Sequence, residues 1–347
     1  MSGLNIVMVG ETMIGSRTPQ RRSAFEKLGH RVHMVSINPP QVTYETRPSL
    51  IERLRYRLRV PGDPASANAA LLAAAHCRTD VIWVENARMI RAATLVQIRR
   101  QAPGARLIWY SEDDTMNPRH RSRWMEGCIP LYDLWVTTKS FNAHADEVPS
   151  LGARRVLVVN NGFDPASHTA VRLTDEDRRL FGAEIAFVGT FEEPRAASMM
   201  ALARSGLTVR VWGNGWTHLA GCQPGLHIEG RPVYNEEYAK VCAASKINLA
   251  FLRKFNRDLQ TCRSVEIPAC GAFMLHERNA EIAALFVEGI EAAYFGDNEE
   301  LAVQCRKWLA DDGGRQRVAA TGRTKALASL SHDRILSTIL SAAGVGR

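Results

Sequence analysis

Short apolar runs recur along the chain, each closed by a polar or turn-forming residue. Ile6-Val-Met-Val9 stops at Gly10, and runs of similar length lie at 32–37, 81–84, 107–110, 134–137 and 156–159. Such runs read as strands buried on both faces, the pattern of parallel sheets. Segments with helical spacing separate them, at 20–28, 65–76, 87–101 and 140–151, and Gly29 stands where the first of these ends. Asn160-Asn-Gly-Phe-Asp-Pro165 is a turn cluster, and 166–183 is polar and charged. The alternation then restarts, with strands predicted at 185–188, 208–212, 226–228, 247–252, 273–275 and 293–295. Helices are predicted at 195–205, 234–244, 264–270, 281–287 and 298–310. No sequence repeat relates the halves. The expected fold class is α/β, with two Rossmann-like, doubly wound parallel-sheet domains facing a cleft. Domains are expected at 1–165 and 166–330, with 331–347 a C-terminal helix packing back toward the first. In open sheets of this kind ligands sit at the carboxyl ends of strands, so the strand-end loops are where chemistry is sought.

Composition narrows the classes. The 347 residues are 46% hydrophobic and 23% charged, which excludes wholesale disorder. No run approaches the ~20 apolar residues of a membrane-spanning helix. The first ten residues show no basic n-region or cleavage site, and the seven cysteines form no C-x-x-C pair. These features lead to the expectation of a cytoplasmic protein with reduced thiols and no zinc site. The net charge of +8 is unevenly placed: 1–165 hold 22 Lys and Arg against 15 Asp and Glu, whereas 166–347 hold 22 against 21. A basic first half suggests an anionic partner, with nucleic acid, acidic headgroups and phosphorylated acceptors all open; arginine use set by a GC-rich genome is the plainer alternative. Leu50-Ile-Glu-Arg-Leu54-Arg-Tyr-Arg-Leu58-Arg59 reads as a basic amphipathic helix, either a solvated surface helix or a peripheral membrane contact through 47–59. Only Tyr56 interleaves the arginines, so nucleic-acid binding is not expected.

Four segments carry candidate chemistry. In Phe187-Val-Gly189-Thr190-Phe-Glu-Glu-Pro-Arg195 a strand turns at a glycine into a helix start, where free N–H groups and Arg195 can meet a diphosphate. An ordinary βα turn with a surface arginine reads the same way. Val211-Trp-Gly213-Asn214-Gly-Trp216 is a second glycine loop at a strand end, and a simple tight turn is equally consistent. In 253–275, Asp258 and Glu266 lie eight apart. An acid there can accept from ribose or sugar hydroxyls, and Lys254 and Arg263 can neutralise a diphosphate; Arg263–Glu266 or Lys254–Asp258 pairing would explain the same residues structurally. Glu112-Asp113-Asp114 follows the strand at 107–110 and offers a general base, a metal ligand set or a solvated loop. His120 and His144 read as structural.

From Ile247 to Leu275 the chain resembles the GT-B glycosyltransferases, in particular the CgeB-like branch of the group-1 family. The likeness rests on Asn256-Arg-Asp258, Thr261, Arg263, Glu266-Ile-Pro-Ala and Gly271-Ala-Phe-Met-Leu. The wider group carries E-x7-E here, and Asp258 and Glu266 occupy its two acidic positions. The resemblance implies that Glu266 meets the donor's ribose and Asp258, with a shorter side chain, its sugar. Gly189-Thr190 and Arg195 are similar to a G-R-x4-K element that grips diphosphate, with Thr190 in place of the arginine. Gly230-Arg231-Pro-Val-Tyr234 looks like the loop around the nucleobase, and Asn161-Gly-Phe-Asp-Pro165 resembles the interdomain signature. The resemblance covers 160–347 well and the first domain only in outline.

The implied function is transfer of a sugar from a nucleoside-diphosphate donor to an acceptor, possible identities being an anionic glycan, a lipid-linked molecule or a protein, with no metal or other cofactor. Donor-binding candidates are Gly189, Thr190, Gly213, Asn214, Arg231, Tyr234, Asp258, Arg263 and Glu266. Catalytic candidates are Asp113 and Asp114, as a base if the reaction inverts, with Arg195 and Lys254 on the leaving group. Gly10, Glu11 and Thr12 are candidates on the acceptor side. A nucleotide-sugar epimerase on the same fold and a non-catalytic nucleotide- or polyanion-binding protein are the alternatives.

Overall fold

The computed structural model describes residues 3–345, which divide into two compact units. One holds the chain up to Asn160 and from His332 onward; the other holds Asn161–Ser331. In the first unit the strands are β1 (Asn5–Gly10), β2 (Arg31–Ser36), β3 (Val81–Glu85), β4 (Arg106–Ser111), β5 (Leu134–Thr137) and β6 (Val156–Val158). They form one parallel sheet in the order β2-β1-β3-β4-β5-β6, with Ile6 beside both Val32 and Val81. Its helices up to Asn160 are α1 (Thr18–Lys27), α2 (Leu50–Arg57), α3 (Ala67–Ala74), α4 (Ala92–Gln101) and α5 (Arg123–Cys128). Strand alternation sends Val7 and Val9 into one apolar layer with Leu71, Leu95 and Trp109, and Ile6 and Met8 into the other with Phe25 and Trp83.

The second unit opens with α6 (Asp175–Phe181) and β7 (Ala183–Val188), then α7 (Glu193–Arg204), β8 (Val209–Trp212), β9 (Leu226–Ile228) and α8 (Asn235–Ala244). β10 (Ser245–Ala250), α9 (Arg263–Ala269), β11 (Met274–Glu277), α10 (Ala280–Leu285), β12 (Ala293–Phe295), α11 (Asn298–Ala310) and α12 (Asp312–Ser329) complete it. Its parallel sheet runs β12-β11-β10-β7-β8-β9, the doubly wound order whose switch point lies between the first and fourth strands of the unit, β7 and β10. In the first unit the reversal falls between β1 and β3.

The last helix, α13 (His332–Ala342), belongs to the first unit. Ile335, Leu336 and Ile339 complete the layer that contains Phe25 and Trp83. Among the described residues, no helix is long and apolar enough to cross a membrane.

Two local expectations need correction, and one polar stretch gains an element. The helix predicted over 140–151 is two short 3-10 turns, Ser140–Ala143 and Val148–Leu151, with His144 extended between them. Pro149 brings no N–H to a continuous helix. The polar stretch before β7 contains α6, whose Thr174 and Asp177 form a capping box. Finally, the turn at 161–165, assigned by sequence to the first domain, belongs to the second unit. The Asn161 N–H donates to Gln260 Oε1 at 2.9 Å, and the Phe163 N–H to the Leu330 carbonyl at 3.1 Å.

An ion network fastens α1 across the first sheet. Arg21 is buried; its Nε donates to Glu85 at 2.9 Å and its Nη1 to Glu112 at 2.9 Å, while Tyr110 lies under the guanidinium. Arg17 makes a second contact to Glu112 at 2.9 Å. Burial works to raise the Glu112 carboxyl pKa, but Arg17 and Arg21, helped by His332, hold it far below the ordinary 4.5. A depressed carboxyl contributes stability above its unfolded value and loses it as pH falls below. Glu112→Gln is therefore expected to lower stability most at neutral pH, and the gap to wild type is expected to close as pH falls below about 4.5. Urea unfolding at a series of pH values checks this, and a gap independent of pH would show that the ion pairs are not its source.

Candidate functional site

The second unit's site is built where β7, β8 and β10 end. The Gly189 N–H donates to the Trp212 carbonyl at 2.9 Å, and the Phe191 N–H to the Asn214 carbonyl at 2.9 Å, so the two glycine loops noticed in the sequence are stitched together. Gly213 holds φ +142°, and a Cβ there would stand 2.0 Å from the Gly189 carbonyl oxygen. That oxygen also accepts from the Trp216 indole at 2.8 Å. Gly213 thus serves a backbone crossing that fixes the β7 turn.

From that turn α7 departs with Pro194 in its first turn and no side chain capping its N-terminus, leaving its first N–H groups available to an anion. Arg195 is buried, 7% exposed, and bends back so that Nη1 donates to the Thr190 carbonyl at 3.1 Å. Its nearest acid, Glu192, is 3.8 Å away, and its Nε is buried without a hydrogen-bond partner. Burial lowers its pKa first of all; Arg253 and Arg263 push the same way, against Glu192 and Asp258. An arginine remains charged through such a shift, so this is a buried cation with incomplete compensation.

The loop after β10 brings in the other charges. Arg253 Nε donates to Glu192 at 2.9 Å, and Lys254 pairs with Glu277 at the end of β11. Asp258 is buried and occupied with its own loop: Oδ1 accepts from Asn256 Nδ2 at 2.8 Å. On α9, Arg263 pairs with Glu266, donates from Nε to the Val188 carbonyl at 3.1 Å, and lies over the Tyr238 ring at 4.5 Å. Of the two structural pairings considered from sequence, Arg263–Glu266 is present, and Lys254 takes Glu277 in place of Asp258. Glu266 is almost fully buried, with His168 Nε2 3.6 Å from its Oε1. His168 Nδ1 accepts from the Asp164 N–H at 3.1 Å, which leaves Nε2 as the protonated nitrogen of the neutral ring. Beside this cluster a cleft of about 360 Å³ is lined by Pro194, Arg195, Ser198, Lys254, Glu277 and Asn298.

Thus Gly189, Thr190, Arg195, Gly213, Asp258, Arg263 and Glu266 converge. Arg231 meets the cluster through its backbone, its carbonyl accepting from the Gly213 N–H at 2.9 Å, while its exposed side chain pairs with Glu237 at 2.7 Å; Tyr234 precedes α8 as its N-cap. Asn214 enters through its backbone carbonyl. Sequence reasoning left out Arg253, Glu192, Glu277, His168 and Tyr238. Arg253 adjoins Lys254 and Glu192 lies between Thr190 and Arg195, both usable signals; His168, Tyr238 and Glu277 lie outside the segments considered.

In the first unit, Gly10 closes β1, and a Cβ there would meet Thr18 Cγ2 at 2.7 Å. The Glu11 carboxyl is raised by burial, with Glu85 and Asp113 adding to the shift against a hydrogen bond from Tyr44 at 2.9 Å. Thr12 shares a 2.7 Å hydrogen bond with Ser36. The acidic triplet is drawn to separate partners. Glu112 goes to Arg17 and Arg21. Asp113 accepts from Asn86 at 3.0 Å, with His120 Nδ1 3.7 Å away. Asp114 is 2% exposed, its Oδ1 accepting from the Met116 N–H and Asn142 Nδ2, both at 3.0 Å. Asp114 therefore holds its loop, and of the two candidate bases Asp113 is the more exposed.

The backbone crossing gives a direct test. Gly206 also has positive φ but open space around its Cβ position, so Gly206→Ala is expected to cost about 1–2 kcal/mol. Gly213→Ala adds a clash with backbone and is expected to cost at least about 2 kcal/mol more. Urea denaturation of both variants checks this; equal losses would show that the crossing carries no weight.

Residues 195–341 match the family described as Glycosyl transferase-like, a segment that contains Arg195, Lys254, Asp258, Arg263 and Glu266. Among curated proteins, none matches the chain in sequence. Solved structures do match over nearly its whole length. Sucrose-phosphate synthase from Thermosynechococcus elongatus has a TM-score of 0.66 at 12% identity, covering 98% of both chains. The E. coli trehalose-6-phosphate synthase structure with UDP-2-fluoro glucose has a TM-score of 0.69 at 12% identity, covering 99% of both. Anabaena HepE in complex with UDP and glucose has a TM-score of 0.63 at 14% identity, covering 98% of this chain and 99% of that one. The chain has the GT-B fold, with two six-stranded parallel sheets and flanking helices. The fold and the family segment together support a glycosyltransferase.

Proposed function

We propose that the protein transfers a sugar from a nucleoside-diphosphate donor, bound at the strand ends of the second unit, to an acceptor served by the first, as a CgeB-like member of the group-1 GT-B enzymes. The observation that carries this reading is Arg195: a buried, under-compensated guanidinium beside an uncapped helix start and a glycine turn at the sheet's switch point. A diphosphate supplies the negative charge that this position lacks. In the reaction, Arg195 with Arg253, Lys254 and Arg263 would offset charge growing on the leaving diphosphate, a stabilisation that a desolvated site makes strong. Glu266, held by Arg263 and His168, would accept from ribose hydroxyls once the donor draws Arg263 away. If the reaction inverts, Asp113 is the base. This mechanism calls on no metal. The basic first unit suits an anionic or lipid-linked acceptor, and the work is expected to take place in the cytoplasm.

Neighbours of the same fold were solved with UDP or UDP-sugars, so UDP is the first nucleotide to test, with GDP, dTDP and CDP beside it. Ligand at one hundred times Kd stabilises the native state by about 2.7 kcal/mol, which a thermal-shift assay reads as a higher Tm. Wild type is expected to respond to one nucleotide, and Arg195→Ala and Glu266→Gln to lose the response. Asp258→Asn is the companion variant should Glu266→Gln fold poorly. Mass spectrometry of the matching nucleotide sugar with acceptor mixtures is then expected to show a glycosylated product. No shift from any nucleotide would overturn the donor site. A shift with an isomerised donor would favour an epimerase, and a shift without turnover a binding protein.

A further inference from the structure

The segment between β2 and α3 takes no part in the donor site, yet it holds much of the first unit's exposed apolar surface. α2 buries none of its side chains. Leu50, Ile51, Leu54 and Leu58 are 74%, 64%, 58% and 52% exposed. At 3.6 residues per turn these four fall within an arc of about 100°. Arg57 and Arg53 border the arc on one side and Arg55 on the other.

Tyr56 points the opposite way. Its hydroxyl donates to the Arg119 carbonyl at 2.9 Å, and the Arg88 guanidinium lies 5.7 Å over its ring. The apolar arc is therefore turned away from the unit. The helix start is closed on itself and its C-terminal end is moored to the unit. Ser49 and Glu52 form a capping box, the Arg123 N–H donates to the Arg59 carbonyl at 2.8 Å, and the Trp124 indole donates to the Pro61 carbonyl at 3.2 Å. Arg59 also pairs with Glu126. A helix held this way keeps four aliphatic side chains in water, although burying each would be favourable.

We propose that α2 docks on an anionic lipid surface, lying in the headgroup plane with Leu50, Ile51, Leu54 and Leu58 in the acyl boundary and Arg53, Arg55 and Arg57 beside the phosphates. Charge selects this occupant. Residues 47–59 contain Arg47, Arg53, Arg55, Arg57 and Arg59 against the single acid Glu52. A second copy of α2 would bring two such rows together, whereas anionic headgroups neutralise them. A short helix of this kind binds reversibly and depends on both its apolar and its basic residues.

Co-sedimentation of the full chain with vesicles tests the assignment independently of nucleotide binding. Wild type is expected to bind phosphatidylcholine vesicles containing phosphatidylglycerol, not phosphatidylcholine alone, and to release at high salt. The double variant Leu50→Glu with Leu54→Glu is expected to bind at least about tenfold more weakly. Combined Arg53→Gln, Arg55→Gln and Arg57→Gln is expected to abolish the preference for anionic vesicles. Val303→Glu, on an exposed face of the second unit, is expected to bind like wild type. None of these changes removes a buried side chain, and circular dichroism confirms folding. Binding to neither vesicle, equal binding to both, or full binding by the Leu50/Leu54 variant would overturn the proposal. A dimer lost in that same variant, seen by sedimentation equilibrium, would assign the face to a second copy instead.

Discussion

A guanidinium kept out of water must be matched by charge or hydrogen bonds, and that demand shapes the switch point of the second unit. Arg195, Arg253, Lys254 and Arg263 gather there with Glu192, Asp258, Glu266 and Glu277. The cluster is balanced in formal charge but not in geometry. Three cations have close acids, and the most buried, Arg195, has the longest contact, 3.8 Å to Glu192. An anion entering this site has to take cations from carboxylates already holding them.

The carboxylates are prepared for such an exchange, because three of them have partners that are not basic side chains of the cluster. Glu266 has His168 at 3.6 Å, Glu277 accepts from the Leu252 N–H at 2.9 Å, and Asp258 accepts from Asn256 at 2.8 Å. Swinging a cation toward a diphosphate would not strand these acids as lone buried charges, the outcome that makes breaking a buried pair so costly. The rigid elements of the site are accordingly backbone: the Gly189–Gly213 crossing and the start of α7 fix where phosphate oxygens could sit, while long arginine and lysine side chains adapt around them.

The sheets were legible because parallel strands buried on both faces must be continuous apolar runs. Among the described residues the twelve strands lie at the predicted runs, although β2, β6 and β9, at sheet edges, are only partly buried. The segment at 140–151 was not legible in the same way, since its apolar spacing suits a helix while Pro149 and the extended His144 break it. Within the site, residues near one another in sequence could be read, and those united only by folding could not. His168 reaches Glu266 from the turn after the first unit, and Glu277 reaches Lys254 from a neighbouring strand. Asp113 and Asp114 show the opposite limit: adjacent and chemically identical, they are separated by burial, which no local pattern reveals.

The same reasoning bears on Thr190, which stands where the proposed diphosphate grip would carry an arginine. That residue contributes its carbonyl, and Arg195 closes onto it at 3.1 Å from the first turn of α7. Arg253, from the loop after β10, brings a further cation to the same acid, Glu192, that Arg195 faces. Strand ends that lie side by side in a parallel sheet pool the side chains of their loops, so the positive charge at a switch point depends on the sum over neighbouring loops and not on one position in any of them. A motif read along a single segment registers Thr190 as a missing cation; in the fold, Arg253 from the adjacent strand's loop stands with Arg195 at Glu192.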